Sequence, residues 1–191
     1  MPDDTGDHYK PFFEVYGAHT TDEHRPSLNE TLQSATDKSN HKLLIAVKVR
    51  AVIRCSECLR NRCVYAPSKL STSQMAAFIR VQEDNSYICG QPLFPCNHEF
   101  HSDVVVRQAV ACTSPMETTY YSATTVSFEA CCFYCGVQDS LLNDDYITSL
   151  RSQYSVVRPL CKMCRDSGKE AKTWGQSKMK KLRCKVPPGQ Y

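Results

Sequence analysis

No stretch of the chain approaches the run of about 18 apolar residues that a membrane-spanning helix requires, so no such helix is expected. The opening segment MPDDTGDHYKPFFEVYG has neither a basic n-region nor an apolar h-region, which argues against a secretory address. It is also too acidic for a mitochondrial presequence. The catalytic metal motifs are missing too. His98-Glu99-Phe100-His101 is one residue short of H-E-x-x-H, whose two histidines must lie one helical turn apart to share a zinc ion. No histidine has a glutamate two residues later, and Leu160 separates Pro159 from Cys161, so the deaminase pattern H-x-E with P-C-x-x-C fails as well. Net charge is small, +3 over 191 residues, so the chain as a whole has little pull on a polyanion.

That small total hides a polarised distribution. Residues 1–41 carry eight acids and three bases, net −5; residues 42–157 carry ten of each; residues 158–191 carry ten bases and two acids, net +8. The first segment is polar and without sustained periodicity, and is read as a disordered acidic N-terminus in which Ser27 and Glu30 could cap a short helix. The last segment contains Lys178, Lys180, Lys181, Arg183 and Lys185, a basic run that suits nuclear import or contact with phosphates. Nucleic acid or a protein partner is therefore expected at this end, with a nuclear location favoured over a cytoplasmic one. Trp174 and Tyr191 lie nearby, but no platform motif that stacks bases surrounds them.

Twelve cysteines are present. In a chain with no secretory signal the thiols should stay reduced, and closely spaced pairs then read as metal ligands in preference to disulfides. Three C-x-x-C pairs occur: Cys55 with Cys58, Cys132 with Cys135, and Cys161 with Cys164. A two-residue gap lets the chain form a tight knuckle that turns both sulfurs onto one ion. Two Zn²⁺ ions are expected. Cys132, Cys135, Cys161 and Cys164 make the clearer site, with Gly136 suited to the turn after a knuckle. For the other, Cys55 and Cys58 need two partners from Cys63, Cys89, Cys96, His98, His101 and Cys112. Cys96 is the first choice, then His98 or His101, with Cys89 as the route to an all-cysteine site. Cys131 and Cys184 read as spare, buried apolar thiols.

Between these ligands the pattern predicts a half-buried strand over Ile45, Val47, Val49, Ala51 and Ile53. Ser71 and Gln74 signal a helix start, with a hairpin turning at Asp84-Asn85 afterwards. A second hairpin is expected from SDVVVRQAVAC and TTYYSATTVSFEAC, then a short helix capped by Asp144 or Asp145 and a strand at VVRPL.

Hairpin, knuckle and a second pair at a helix start resemble the treble-clef and zinc-ribbon fingers over about residues 118–170. LFPCNHEFHSDVVVR, around residues 94–107, resembles the middle of the two-histidine RING family, with Cys55, Cys58, Cys96, His98 and His101 matching in order and Cys161, Cys164 and Arg165 resembling its closing C-x-x-C-R. Val104 stands where a further ligand should be. The RING resemblance implies a ubiquitin-ligase scaffold without a catalytic nucleophile. The expected whole is an α+β, zinc-stabilised protein built from antiparallel hairpins and short helices. Its parts are the acidic segment 1–41, an N-terminal zinc subdomain 42–112, a treble-clef-like subdomain 113–175 and a basic tail 176–191. Binding is expected, not catalysis.

Overall fold

The computed structural model describes residues 35–176. The Ser27–Glu30 capping box, most of the acidic segment, Cys184 and the basic residues Lys178, Lys180, Lys181, Arg183 and Lys185 lie outside the described residues. Within them the fold is α+β, with short antiparallel strands and few helices. In chain order come α1 (Ala35–Ser39), a 3-10 turn (Ala46–Lys48), β1 (Val49–Arg54), β2 (Asn61–Tyr65), α2 (Thr72–Glu83), β3 (Val105–Val106), α3 (Thr118–Ser122), α4 (Asp145–Gln153), β4 (Tyr154–Val157), α5 (Lys162–Asp166) and β5 (Thr173–Gln176). No helix among the described residues is long and apolar enough to cross a membrane.

Strands β1, β2 and β3 form one antiparallel sheet in that order, and β4 pairs with β5 in a separate ribbon. The first sheet is covered on both faces. Successive side chains on a strand point to opposite sides, so Val64 and Val106 join a cluster with Ile53, Phe78, Leu93 and Phe94, whereas Cys63, Tyr65 and Val105 join one with Val49, Met116, Tyr120 and Phe133. A third cluster, around Cys132, Ile147, Leu160 and Cys161, lies within residues 132–171.

The alternating stretch Ile45–Ile53 is strand only from Val49 onward, and Ile45 and Val47 are exposed. Lys48 O still accepts from Ala66 N, but Lys48 N turns back to Ile45 O in the 3-10 turn Ala46–Lys48, which takes the preceding residues off the ladder. The expected hairpin at Asp84-Asn85 is instead the end of α2. Ser71 and Gln74 form a reciprocal capping box, the helix runs on to Glu83 with Phe78 buried, and Asn85 takes a left-handed φ of 47° that stops it. The second expected hairpin is also absent. Val105 and Val106 pair with Tyr65 and Val64 on the free edge of β2, and the TTYYS segment is helical. Tertiary partners decide this, because Tyr120 is buried and its hydroxyl donates to the Glu129 carbonyl, while Tyr121 donates to that of Cys131. Helix α4 is capped by Asp144, whose carboxylate accepts from Ile147 N, as the sequence indicates.

Segment 113–131 packs on the first sheet. Glu117 is buried, its Oε2 accepting from Cys63 N and its Oε1 from the Tyr65 hydroxyl, each at 2.7 Å, with Arg107 Nε 3.4 Å away. At the other end, the Asp37 carboxylate of α1 accepts from Gln108 N and Ala109 N.

Candidate metal centres

Each knuckle begins where a chain turn is closed by a backbone bond to its first cysteine. In the first, Leu59 N donates to Cys55 O at 3.0 Å; in the second, Gly136 N donates to Cys132 O at 2.8 Å. The residue after the second cysteine is left-handed in both, φ 59° at Leu59 and 75° at Gly136. Glycine is favoured at the second position, since φ is left-handed and a Cβ there would press on Arg60 Cγ and Met116 Sδ at 3.2 Å. Leu59 adopts the same geometry with a side chain, at a steric cost.

The first centre gathers Cys55, Cys58, Cys89 and Cys112, and the second gathers Cys132, Cys135, Cys161 and Cys164. In each, the four sulfurs lie within 4.8 Å of one another. Cys55 and Cys112 are 3.7 Å apart, as are Cys58 and Cys89, and Cys135 and Cys161 are 3.6 Å apart. A tetrahedron with metal–sulfur bonds of about 2.3 Å has edges of about 3.8 Å, so these spacings suit one ion per centre. No disulfide joins any of the cysteines among the described residues.

Cys89 and Cys112 complete the first centre, and Cys96, His98 and His101 do not enter it. FPCNHEFH is a run of tight turns in which both imidazoles are used internally. The His98 ring stacks on Phe94 with centroids 4.5 Å apart, its Nδ1 accepts from Phe100 N, and His101 Nδ1 lies 2.7 Å from Phe94 O. Phe94 is anchored in the core while Cys96 points to solvent. Cys89 and Cys112 are each isolated in sequence, with no C-x-x-C partner. The one legible signal for Cys112 is its place in the pool of cysteines outside the C-x-x-C pairs, whereas Cys89 is also legible as the route to an all-cysteine site.

The first centre is held by an arginine that composition does not reveal. Arg62 lies on β2, on the same face as Val64, and is completely buried. Its Nε donates to Cys89 Sγ at 3.2 Å, one terminal nitrogen donates to Pro115 O at 2.7 Å, and the other to Ala111 O and Ser114 O. It therefore places a cation against the thiolates and pins the loop that delivers Cys112. Arg60, next but one along the chain, also donates to Cys112 O.

At the second centre, Cys161 caps α5 and its sulfur accepts from Cys164 N at 3.4 Å. Cys132 and Cys161 are buried, Tyr134 inside the knuckle donates to Glu170 O, and the Arg165 guanidinium lies 3.7 Å over the Tyr146 ring. The two centres adjoin, since Cys58 and Leu59 share one groove wall with Cys135 and Gly136.

The thiols of each centre respond to one another. Cys58 is lowered to about 4, first by its hydrogen bond with Cys89, whereas that same bond and burial hold Cys89 up. Burial opposes ionisation of Cys132, but backbone N–H groups around it outweigh that and lower it, while burial raises Cys135 and Cys164. Four clustered thiolates repel, so without a cation only part of each set ionises. A divalent ion removes that limit. Cys63 and Cys131, outside both centres, are pushed up by burial and act as apolar packing.

Compared with models of protein families, with curated proteins and with solved structures, the chain matches none of them. The two four-cysteine centres are consequently the ground for a functional reading. Their ligands are used in sequence, the first set closing at Cys112 before the second opens at Cys132. A RING cross-brace interleaves its pairs.

Proposed function

We propose that this chain is a non-enzymatic zinc module whose two ions are structural and whose role is to bind nucleic acid, in the nucleus. The observation that carries the proposal is the closure of both centres: four cysteine sulfurs around each leave no position for water or substrate, as structural zinc sites require. All-sulfur tetrahedral sets select zinc or iron, and zinc has no redox chemistry to maintain. The knuckle at Cys132–Gly136 and the pair opening α5 support a treble-clef-like reading of the second centre. Nucleic acid is favoured over a protein partner by the ten bases against two acids in residues 158–191.

Native mass spectrometry of the reduced chain should find two zinc ions. Cys89→Ser and Cys112→Ser should each reduce that to one, while Cys96→Ser and the pair His98→Ala with His101→Ala should leave two. A coloured protein containing iron would reject zinc. Binding to a labelled oligonucleotide should weaken steeply with salt and weaken further when Lys180, Lys181 and Arg183 are neutralised; binding indifferent to salt would reject nucleic acid.

A further inference from the structure

The ribbon of β4 and β5 carries Trp174, the single tryptophan of the chain, with 78% of its surface in water. That is unusual for the largest apolar side chain on a hydrogen-bonded strand. Its backbone is fixed: Ser155 Oγ donates to Trp174 O, and Gly175, with φ 70°, is held where any Cβ would collide with Ser155 Oγ. Directly paired residues share one face, so Val156 lies beside Trp174. One step beyond the strands, Arg158 N donates to Lys172 O, which brings two cations to the same end of the ribbon.

Trp174, Val156, Arg158 and Lys172 line a groove of about 300 Å³ with Thr118, Ser122 and Thr173, and none of its lining residues is acidic. The Arg158 guanidinium is steadied 4.9 Å over the Tyr121 ring. The sequence then runs from Gln176, at the end of β5, into Lys178, Lys180, Lys181, Arg183 and Lys185.

We infer that this groove is a stacking site for an unpaired nucleobase of a single strand, with Trp174 against the base and Arg158 and Lys172 on the flanking phosphates. The inference rests on the nucleic-acid reading above and deepens it. A duplex hides its base faces, whereas a single strand offers a π-face at every base, and an exposed indole flanked by cations suits the latter.

Trp174 reports on the site directly. A fluorescein-labelled twenty-residue oligothymidine should bind by anisotropy and quench the indole emission in the same concentration range. Trp174→Ala should keep two zinc ions and weaken binding by about 5- to 150-fold, the usual loss for one stacked base, and Trp174→Phe should recover most of it. A blunt duplex of the same length should bind less tightly and leave the emission unchanged. Oligothymidine binding with no quenching and no loss in Trp174→Ala would overturn the stacking site and leave the zinc module as a nucleic-acid binder through its basic end. A duplex bound as tightly as the single strand would overturn it as well. Failure of both oligonucleotides to bind would overturn the nucleic-acid reading itself.

Discussion

Arg62 braces the first candidate metal centre without being one of the four cysteines that would hold the ion. Its guanidinium donates to Cys89 and to three carbonyls of the 111–115 loop, so its loss leaves buried acceptors unpaired and thiolate charge uncompensated. Arg62→Met should weaken the first centre by about 10- to 100-fold in competition with a chromophoric chelator, leaving the second unchanged. Arg62→Lys should rescue little, because an ammonium cannot reproduce the planar fork. Leu59 offers the opposite test. Its left-handed φ costs about 1 kcal/mol, partly offset in a glycine by greater chain entropy, so Leu59→Gly should stabilise the metal-loaded protein by about 0.5 kcal/mol in urea titration. Neither residue could be singled out in the sequence. Arg62 is one of many basic residues until β2 turns it inward, and Leu59 occupies a place that Gly136 fills openly in the second knuckle.

At the level of elements, capping signals were the most dependable: Ser71 with Gln74 and Asp144 both start helices. Strand signals misled where tertiary partners intervened. The β-rich TTYYS became a helix because Glu117, just before it, reaches the backbone of β2 and the Tyr65 hydroxyl. Glu117 thus ties α3 to the sheet, and Glu117→Ala would leave the buried Cys63 N–H without an acceptor, the Tyr65 hydroxyl with Thr119 Oγ1 alone and the Arg107 guanidinium without its carboxylate. A loss of about 3 kcal/mol should follow, read from the urea midpoint of the loaded protein. Gly136→Ala should cost about 2 kcal/mol by the same measurement, combining left-handed strain with crowding against Arg60 and Met116. The C-x-x-C pairs were legible because their ligands are local. Cys96 reads as the first choice, Cys89 as the all-cysteine alternative and Cys112 as one of several lone thiols, because only the folded path of α2, the FPCNHEFH turns and the 111–115 loop decides which of them converge.

For the molecule as a whole, the metal centres lie inside the apolar clusters: Cys55 and Cys89 belong to one core, Cys132 and Cys161 to another. Chelation should therefore unfold the described region instead of merely emptying it, visible as lost near-ultraviolet dichroism. Acid should do the same. Cys58 is depressed from 9.0 to about 4, so its ionised form favours the folded state fully above pH 9, and that contribution fades as pH falls towards 4. The raised Cys89, Cys135 and Cys164 must give up protons when an ion binds, which also makes loading weaker at lower pH. Zinc added to metal-free chain in a lightly buffered indicator should release protons, and metal should be lost on acidification from pH 7 to 4. Loading without proton release would mean that cysteines are not the ligands.

The order in which the cysteines are used has a consequence for biosynthesis. Every ligand of the first centre precedes every ligand of the second, so a nascent chain emerging from the ribosome can seat its first ion once Cys112 is free, while Cys132 and Cys161 are still to come. The four thiols of that centre are then already committed when the next four appear, which removes most opportunities for ligands to be exchanged between ions. An interleaved arrangement would have to hold half-filled sites open until its final pair was made.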